Sequence, residues 1–187
     1  MRAFLAIELP PSVRAELAVL QRQLARAGAD VKWVEEANLH VTMRFLGEIN
    51  KEQQQAVEML AGRVAAHTPA FKLRLSGLGA FPSLSSPRVI WVGVGEGRQQ
   101  LARLAEAIER GLAELHFPAD ERAFTAHLTF GRVRSPKHRA DLAAQLTAIS
   151  WSPPPPFAAT HLTFFQSLLG SAGPTYSPVA RLALQAP

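Results

Sequence analysis

Residues 40–47 read HVTMRFLG, and residues 127–132 read HLTFGR. Each stretch places a histidine and a threonine two residues apart in an apolar, β-forming run that soon reaches a glycine. Side chains i and i+2 of a strand point to the same face, so each copy presents an imidazole beside a hydroxyl. Two such pairs that face each other would supply two proton carriers and two hydroxyl donors, which suits metal-free phosphoryl chemistry.

The rest of the chain alternates between helical and extended patterns. Helices are predicted over about 12–27, 51–66, 98–115 and 137–147. Seven or eight strands lie before, between and after them, while the Pro/Ser-rich stretch 81–87 predicts a loop. Hairpin-like neighbours at 71–78 and 88–94 favour an α+β fold with antiparallel sheets over a doubly wound parallel sheet. The repeated motif predicts two pseudo-symmetric lobes, interleaved in one domain over 1–187, with outer helices and a central active-site cleft.

Composition limits the classes of protein that fit. With 187 residues, 48% of them hydrophobic and 19% charged, the chain matches an ordinary globular protein with a sizeable core. No run approaches the ~18–20 apolar residues of a membrane helix, and the opening residues indicate a first strand rather than a leader, so we expect a cytoplasmic location. The absence of cysteine excludes disulfides, zinc–thiolate sites and thiol nucleophiles.

The charge balance is basic, with a formal net charge of +5 and few lysines among the 20 basic residues. An arginine-rich surface favours an anionic partner such as RNA or DNA, since guanidinium groups match phosphate oxygens. GC-rich coding explains the same composition equally well. Metal-binding spacings such as HxH or HExxH are missing, and GVGEG at 93–97 lacks the GxGxxG spacing of a dinucleotide site, so no metal or cofactor is expected.

A third match to the motif occurs at 161–164, which reads HLTF. Only two of the three copies fit a site with approximate two-fold symmetry. The first two are followed closely by glycine and arginine, whereas the third continues as ordinary strand sequence. We therefore predict that His40 and His127 carry the chemistry and that His161 does not.

HVTMRFLG and HLTFGR resemble the two signatures of the two-histidine (2H) phosphoesterase superfamily. Within it, the chain is similar to the RNA 2′,3′-cyclic phosphodiesterases, also called 2′-5′ RNA ligases. The opening RAFLAIELP, the middle FPSLSSPRVIWVGV and the ending FFQSLLGSAGPTYSPVARLAL follow that family's order, so the resemblance spans nearly the whole chain. It implies hydrolysis of RNA or nucleotide 2′,3′-cyclic phosphates to 2′-phosphates without metal or cofactor, with reverse 2′-5′ joining as a side activity. We expect a monomer.

The resemblance also implies roles for the site residues. It makes His40 the proton donor and His127 the proton acceptor, an order that the residues alone do not establish. Thr42 and Thr129 are predicted to donate hydrogen bonds to the phosphate oxygens. One imidazole must be charged while the other is neutral, so a bell-shaped pH–rate profile is expected.

Further candidates surround the two motifs. Arg132 is predicted to balance the phosphate charge, although strand parity points it away from the motif unless the strand bulges at Gly131. Arg44 shares parity with the first motif and either lines the groove or is a solvated edge charge. By its family position, Tyr176 contacts substrate in the groove. Three aromatic residues are candidates for base stacking: Phe45, Trp33 and Phe130. Strand alternation predicts that Phe130 points to the core.

A second function from another class uses the same groove. A protein that binds RNA ends without turnover needs the same basic and aromatic surface but not intact proton carriers. The intact histidines and threonines of both motifs favour the enzyme.

Overall fold

The computed structural model describes residues 1–171 and 173–186, which form four α-helices and ten β-strands. The helices are α1 (Pro11–Ala25), α2 (Lys51–Ala66), α3 (Arg98–Glu114) and α4 (Arg139–Ala148). The strands are β1 (Arg2–Glu8), β2 (Val31–Trp33), β3 (His40–Glu48), β4 (Phe71–Leu73), β5 (Leu75–Ser83), β6 (Ser86–Val94), β7 (His127–Val133), β8 (Phe157–Ala159), β9 (His161–Gly170) and β10 (Gly173–Ala183). Across these described residues, no helix is both long and apolar enough to cross a membrane.

Two four-stranded sheets hold the two histidine motifs. The first has the strand order β10-β9-β1-β3 and the second β2-β7-β6-β5, and every neighbouring pair in both is antiparallel. A small third sheet pairs β4 with β8. The predicted α+β class is therefore confirmed, and the strands of the two large sheets interleave along the chain. The division into two lobes of one domain stays a prediction.

The loop predicted over 81–87 is wrong, because β5 and β6 continue into this stretch as a hairpin. Pro82 lies opposite Pro87, and Ser83 opposite Ser86, at its tip. Serine hydroxyls satisfy this turn, since Ser83 Oγ accepts from the Ser86 backbone N–H at 3.3 Å. Prolines are tolerated where ladder hydrogen bonds end, so composition alone underestimates the length of these strands.

The helix signals in the sequence are borne out. The side chain of Asn50, the residue before α2, accepts from the Gln53 backbone N–H at 2.8 Å, and the Gln53 side chain accepts from the Asn50 N–H at 3.0 Å. This reciprocal capping box starts α2. The periodic apolar residues of α1 are buried in the core: Val13, Leu17, Leu20 and Leu24.

Each motif strand carries one extra residue directly after its threonine. On β3, Thr42 pairs with Ala6 but Arg44 pairs with Leu5, so Met43 is unpaired. The same offset separates Thr129 from Gly131 on β7 and leaves Phe130 unpaired. A β-bulge shifts the alternation of the side chains that follow it. Parity counted from the histidine therefore fails beyond each threonine.

A buried glutamine ties helix α1 to the bulge in β7. The Gln21 side-chain amide donates to the carbonyl oxygens of Val34 at 2.7 Å and Phe130 at 3.1 Å. The Val34 backbone N–H also donates to the Phe130 oxygen, at 3.0 Å. Buried polar groups are tolerated when they are paired, and here the pairing fixes the local path of the motif strand.

Replacing Gln21 by leucine is expected to destabilise the protein by about 1–3 kcal/mol, because the buried Val34 carbonyl loses its donor. Urea unfolding monitored by circular dichroism measures the change. Gln23→Leu, on an exposed position of the same helix, is the matched control. Equal stability of the two variants would contradict a structural role for the Gln21 amide.

Candidate active site

His40 is the first residue of β3, and both of its ring nitrogens are engaged. Nδ1 lies 2.6 Å from the Asn38 carbonyl oxygen, and Nε2 lies 2.9 Å from Thr42 Oγ1. A carbonyl oxygen only accepts, so Nδ1 carries the proton of the neutral ring and Nε2 accepts from the Thr42 hydroxyl. This tautomer makes Nε2 the atom that can gain or lose a proton.

Aromatic side chains enclose the His40 ring. Phe4 stacks on it with a centroid distance of 4.9 Å, and Tyr176 meets it edge-on at 5.4 Å. Burial in this apolar surrounding lowers the pKa of His40 from 6.5 to about 4, although the hydrogen bond to Asn38 and the negative charge of Glu8 act in the opposite direction. His40 is therefore neutral at pH 7 in the free protein.

His127 begins β7 with the same backbone anchor. Its Nδ1 donates to the Thr125 carbonyl oxygen at 2.6 Å, which leaves Nε2 as the exchangeable site. Phe81 approaches this ring edge-on at 5.5 Å and Trp91 lies at 6.2 Å. The two motifs thus share one construction: a histidine at a strand start, bonded through Nδ1 to the carbonyl two residues earlier.

The bulges decide which side chains accompany the histidines. Val89 and Trp91 are two residues apart on β6 and pair with Arg132 and Thr129, so those two partners share a face. Simple parity predicted that Arg132 points away from the motif. With the bulge, it lies on the same face as Thr129. By the same logic on β1, Phe45 shares a face with Thr42. Phe45 and Arg132 occupy equivalent places in the two motifs.

Tyr176 brings the two sheets together. Its ring contacts His40 in the first sheet, and the charge of Arg132 in the second sheet lies close enough to act on its hydroxyl. Burial raises the pKa of Tyr176, while Arg132 and Arg2 oppose that rise. Strands β3 and β7 also contact each other. The structure therefore assembles three predicted site residues, His40, Arg132 and Tyr176, around one junction.

Neither alternative predicted for Arg44 holds. Its bulge-shifted position, opposite the core residue Leu5, directs it to α3, where Nε donates to Glu109 Oε1. A second carboxylate, Asp120, lies 3.9 Å from Nη1. Arg44 is thus an ion-pair residue on the opposite face from Thr42.

Sequence patterns placed no emphasis on Glu8, the last residue of β1, which lies directly opposite His40. Its carboxylate is within electrostatic range of the His40 ring. The sequence feature that could have indicated Glu8 as a site residue is an acidic residue at the end of an otherwise apolar first strand. The third motif lies two strands from His40, where exposed His161 contacts Thr160 and buried Thr163 donates to Glu8 Oε1 at 2.7 Å.

Alanine at Gly79 is expected to displace Trp91 and, through it, His127. A Cβ there would lie 2.1 Å from the Trp91 indole, whereas nothing lies within 4 Å of a Cβ at Gly77 on the same strand. We expect Gly79→Ala to lower the free energy of unfolding by about 1–3 kcal/mol and to shift the His127 imidazole resonances in NMR spectra. Gly77→Ala is the control, and identical spectra for both variants would refute this packing role.

Comparison with known proteins identifies the group to which this architecture belongs. The LigT like Phosphoesterase family model matches residues 7–91, which include His40, and residues 92–176, which include His127. The RNA 2′,3′-cyclic phosphodiesterase of Archaeoglobus fulgidus is 36% identical, with 94% of this chain and 96% of the relative covered. The Escherichia coli K12 protein of the same description is 31% identical, with 98% and 96% covered.

Solved structures agree with these relatives. A crystal structure of a Thermus thermophilus protein superposes with a TM-score of 0.81 at 29% identity, covering 100% of this chain and 99% of the other. E. coli LigT complexed with 3′-AMP gives a TM-score of 0.78 at 29% identity, covering 98% and 97%. The resemblance seen in the two motifs is confirmed, and the chain belongs to the LigT-like phosphoesterase family.

Proposed function

We propose that this protein hydrolyses 2′,3′-cyclic phosphates on RNA ends or nucleotides to 2′-phosphates, using His40 and His127 as its proton carriers. The observation that carries the proposal is the shared construction of the two histidines, in which Nδ1 is bonded to a backbone carbonyl and Nε2 is the atom that can gain or lose a proton. Relatives that align over most of their length are named RNA 2′,3′-cyclic phosphodiesterases, which supports the substrate class.

In this reaction, the attacking water loses a proton and the departing ribose 3′ oxygen gains one. His127, in its neutral form, removes a proton from the attacking water, and the new P–O bond forms as the bond between phosphorus and the ribose 3′ oxygen breaks. Protonated His40 gives its Nε2 proton to that departing oxygen, which yields the 2′-phosphate. The histidine pair ends with its protons exchanged and returns to its starting state through solvent.

Hydroxyl and guanidinium groups stabilise the charge that develops on phosphate. In the free protein, the Thr42 hydroxyl is directed to His40 Nε2. Protonation of Nε2 removes that acceptor, so the hydroxyl is released to donate to a phosphate oxygen. Thr129 plays the same part on the other strand, and Arg132, on the same face as Thr129, balances the remaining charge.

Tyr176 and Phe45 line a cavity beside His40 that suits the base of the substrate. Its volume is about 210 Å³, Phe4 and Arg2 also line it, and the Phe45 side chain is 57% exposed. Flat aromatic groups at an open cavity stack on nucleobases without sequence preference. The remaining stacking candidates are less suitable, because Phe130 is fully buried and Trp33 packs against it.

Substitution of either motif histidine tests the mechanism. We expect His40→Ala and His127→Ala each to lower kcat on adenosine 2′,3′-cyclic phosphate by about 10²–10⁴-fold in the presence of EDTA. His67→Ala, at the exposed end of α2, is the matched control. Product analysis by phosphorus NMR is expected to give the 2′-phosphate alone.

The same assay separates the competing functions. RNA binding that persists without any turnover by the parent protein would favour a non-catalytic RNA-end-binding module. Strict dependence on an added divalent metal would instead favour a metallohydrolase. Full activity in either histidine variant would refute the two-histidine mechanism.

The pH dependence tests the order of the two histidines. Burial holds the pKa of His40 near 4, so the free protein loses the protonated donor as pH rises above that value. A bound phosphate anion favours the charged ring and therefore raises this pKa. We expect bell-shaped profiles, in which the kcat profile, which reports the complex, lies at higher pH than the kcat/KM profile, which reports the free enzyme.

Initial rates between about pH 4 and 9, at constant ionic strength, measure both limbs. A profile that is flat between about pH 5 and 8 would argue against acid–base catalysis. Coincident kcat and kcat/KM profiles would argue against a rise in the pKa of His40 on substrate binding.

Reverse joining is proposed as a side activity. The same groups would activate a 5′-hydroxyl in place of water and form a 2′-5′ bond to the cyclic end. A monomeric state and a cytoplasmic location stay predictions.

A further inference from the structure

A second cavity, of about 260 Å³, opens where β1 ends. Its polar lining comes from Glu8, Thr160, His161 and Arg181. In the order β3-β1-β9-β10, it lies on the opposite side of Glu8 from His40. The histidine of the third HxT motif, which the proposed reaction leaves unused, is part of this cavity.

Hydrogen bonds orient the cationic side of the cavity. Thr163, which has no exposed surface, donates to Glu8 Oε1 at 2.7 Å. Glu8 in turn accepts from Arg181 Nε at 2.8 Å and Nη2 at 3.3 Å. Guanidinium has five N–H groups, so three remain for a ligand, and the Arg181 side chain is 54% exposed. Thr163 of the third motif therefore helps, through Glu8, to orient Arg181 of β10.

The cavity retains a donor surface and a positive balance. His161 Nδ1 shares a hydrogen bond with Thr160 Oγ1 at 2.9 Å, and its Nε2 has no hydrogen-bond partner within residues 1–171 and 173–186. The charged and titratable groups that face Glu8 are His40 from β3, His161 from β9, Arg181 from β10 and Arg14 from α1. Arg14 and Arg181 carry two positive charges near the single negative charge of Glu8, so the net charge around Glu8 is positive and favours one phosphodiester anion.

The cavity lies close enough to the proposed active site for one RNA strand to reach both. Ala6 pairs with Thr42 on one side and Thr163 on the other, so the two threonines lie in one row across the sheet. His40 and His161 each lie two residues before their threonine, and two strand spacings of 4.7–4.9 Å separate their rows by roughly 10 Å. The two rows are therefore close enough for one RNA strand to contact both.

We propose that this cavity is a second subsite, which binds the phosphodiester joining the cyclic terminal nucleotide to the rest of the RNA. Arg181 and His161 donate hydrogen bonds to its oxygens, and Glu8 with Thr163 keeps the guanidinium in place. The inference rests on the proposed function and narrows it: the preferred substrate is an RNA end rather than a free cyclic nucleotide.

Two substrates distinguish this subsite from the catalytic groups: adenosine 2′,3′-cyclic phosphate, which lacks the phosphodiester, and the dinucleotide ApA with a 2′,3′-cyclic phosphate. In Arg181→Gln, we expect the ratio of kcat/KM for the dinucleotide to that for the mononucleotide to fall about tenfold, as expected for a lost charge-assisted hydrogen bond. His161→Gln is expected to lower it about threefold. Arg63→Gln, on α2, is the control.

A salt titration and a binding measurement complete the test. The slope of log Kd against log salt concentration, measured for the 2′-phosphorylated dinucleotide, is expected to fall by about 0.7 in Arg181→Gln. A merely structural role would not change this slope. Because binding needs no turnover, an affinity difference between dinucleotide and 2′-AMP supports the subsite even if hydrolysis fails. An unchanged ratio, or an equal loss on both substrates, would overturn it.

Discussion

The hydrogen bond from each histidine Nδ1 to the carbonyl oxygen two residues earlier is the constraint on which the site depends. It occurs twice, with 2.6 Å between the atoms in both motifs, at Asn38–His40 and Thr125–His127. Because both histidines are the first residue of a strand, the preceding carbonyls lie outside the sheet ladder and are free to accept. The bond selects the tautomer and leaves Nε2 as the reactive atom. For the proposed proton transfers, the contribution of the backbone is this choice of tautomer.

The bulge after each threonine separates the side chains on the histidine's face from those directed to the core. Without a bulge, the second residue after each threonine would lie on the histidine's face. With the bulge, the third residue after each threonine lies there instead. One motif uses the shift to present Phe45 and the other to present Arg132, so a duplicated backbone gives one aromatic and one cationic contact. Gln21 stabilises the second of these bulges through the Phe130 carbonyl. A buried amide far from the chemistry thereby helps to position the arginine.

The sequence predicted the regular parts of this protein and the pairing of His with Thr, since both follow from periodicity within one element. It failed where the outcome depends on a neighbouring strand. Arg44 and Arg132 exchange their expected faces because register against β1 and β6 creates the bulges, and no local pattern encodes that register. The 81–87 hairpin was missed because proline and serine composition resembles a loop. Glu8 has meaning only opposite His40, a pairing that spans 32 residues of sequence.

The two histidines differ in surroundings although their motifs are nearly identical, and the proposed acid–base mechanism depends on such a difference. His40 is enclosed by Phe4 and Tyr176, which lowers its pKa, whereas His127 meets aromatic groups only at ring edges. The bound substrate anion favours protonation of the His40 ring. Because the apolar environment disfavours the charged ring, the proton is then released easily. Burial of His40 thus makes it a stronger acid, provided that phosphate and Glu8 supply the negative charge that protonation needs. The duplicated motifs therefore place their histidines in different surroundings, and the proposed division into donor and acceptor uses that difference.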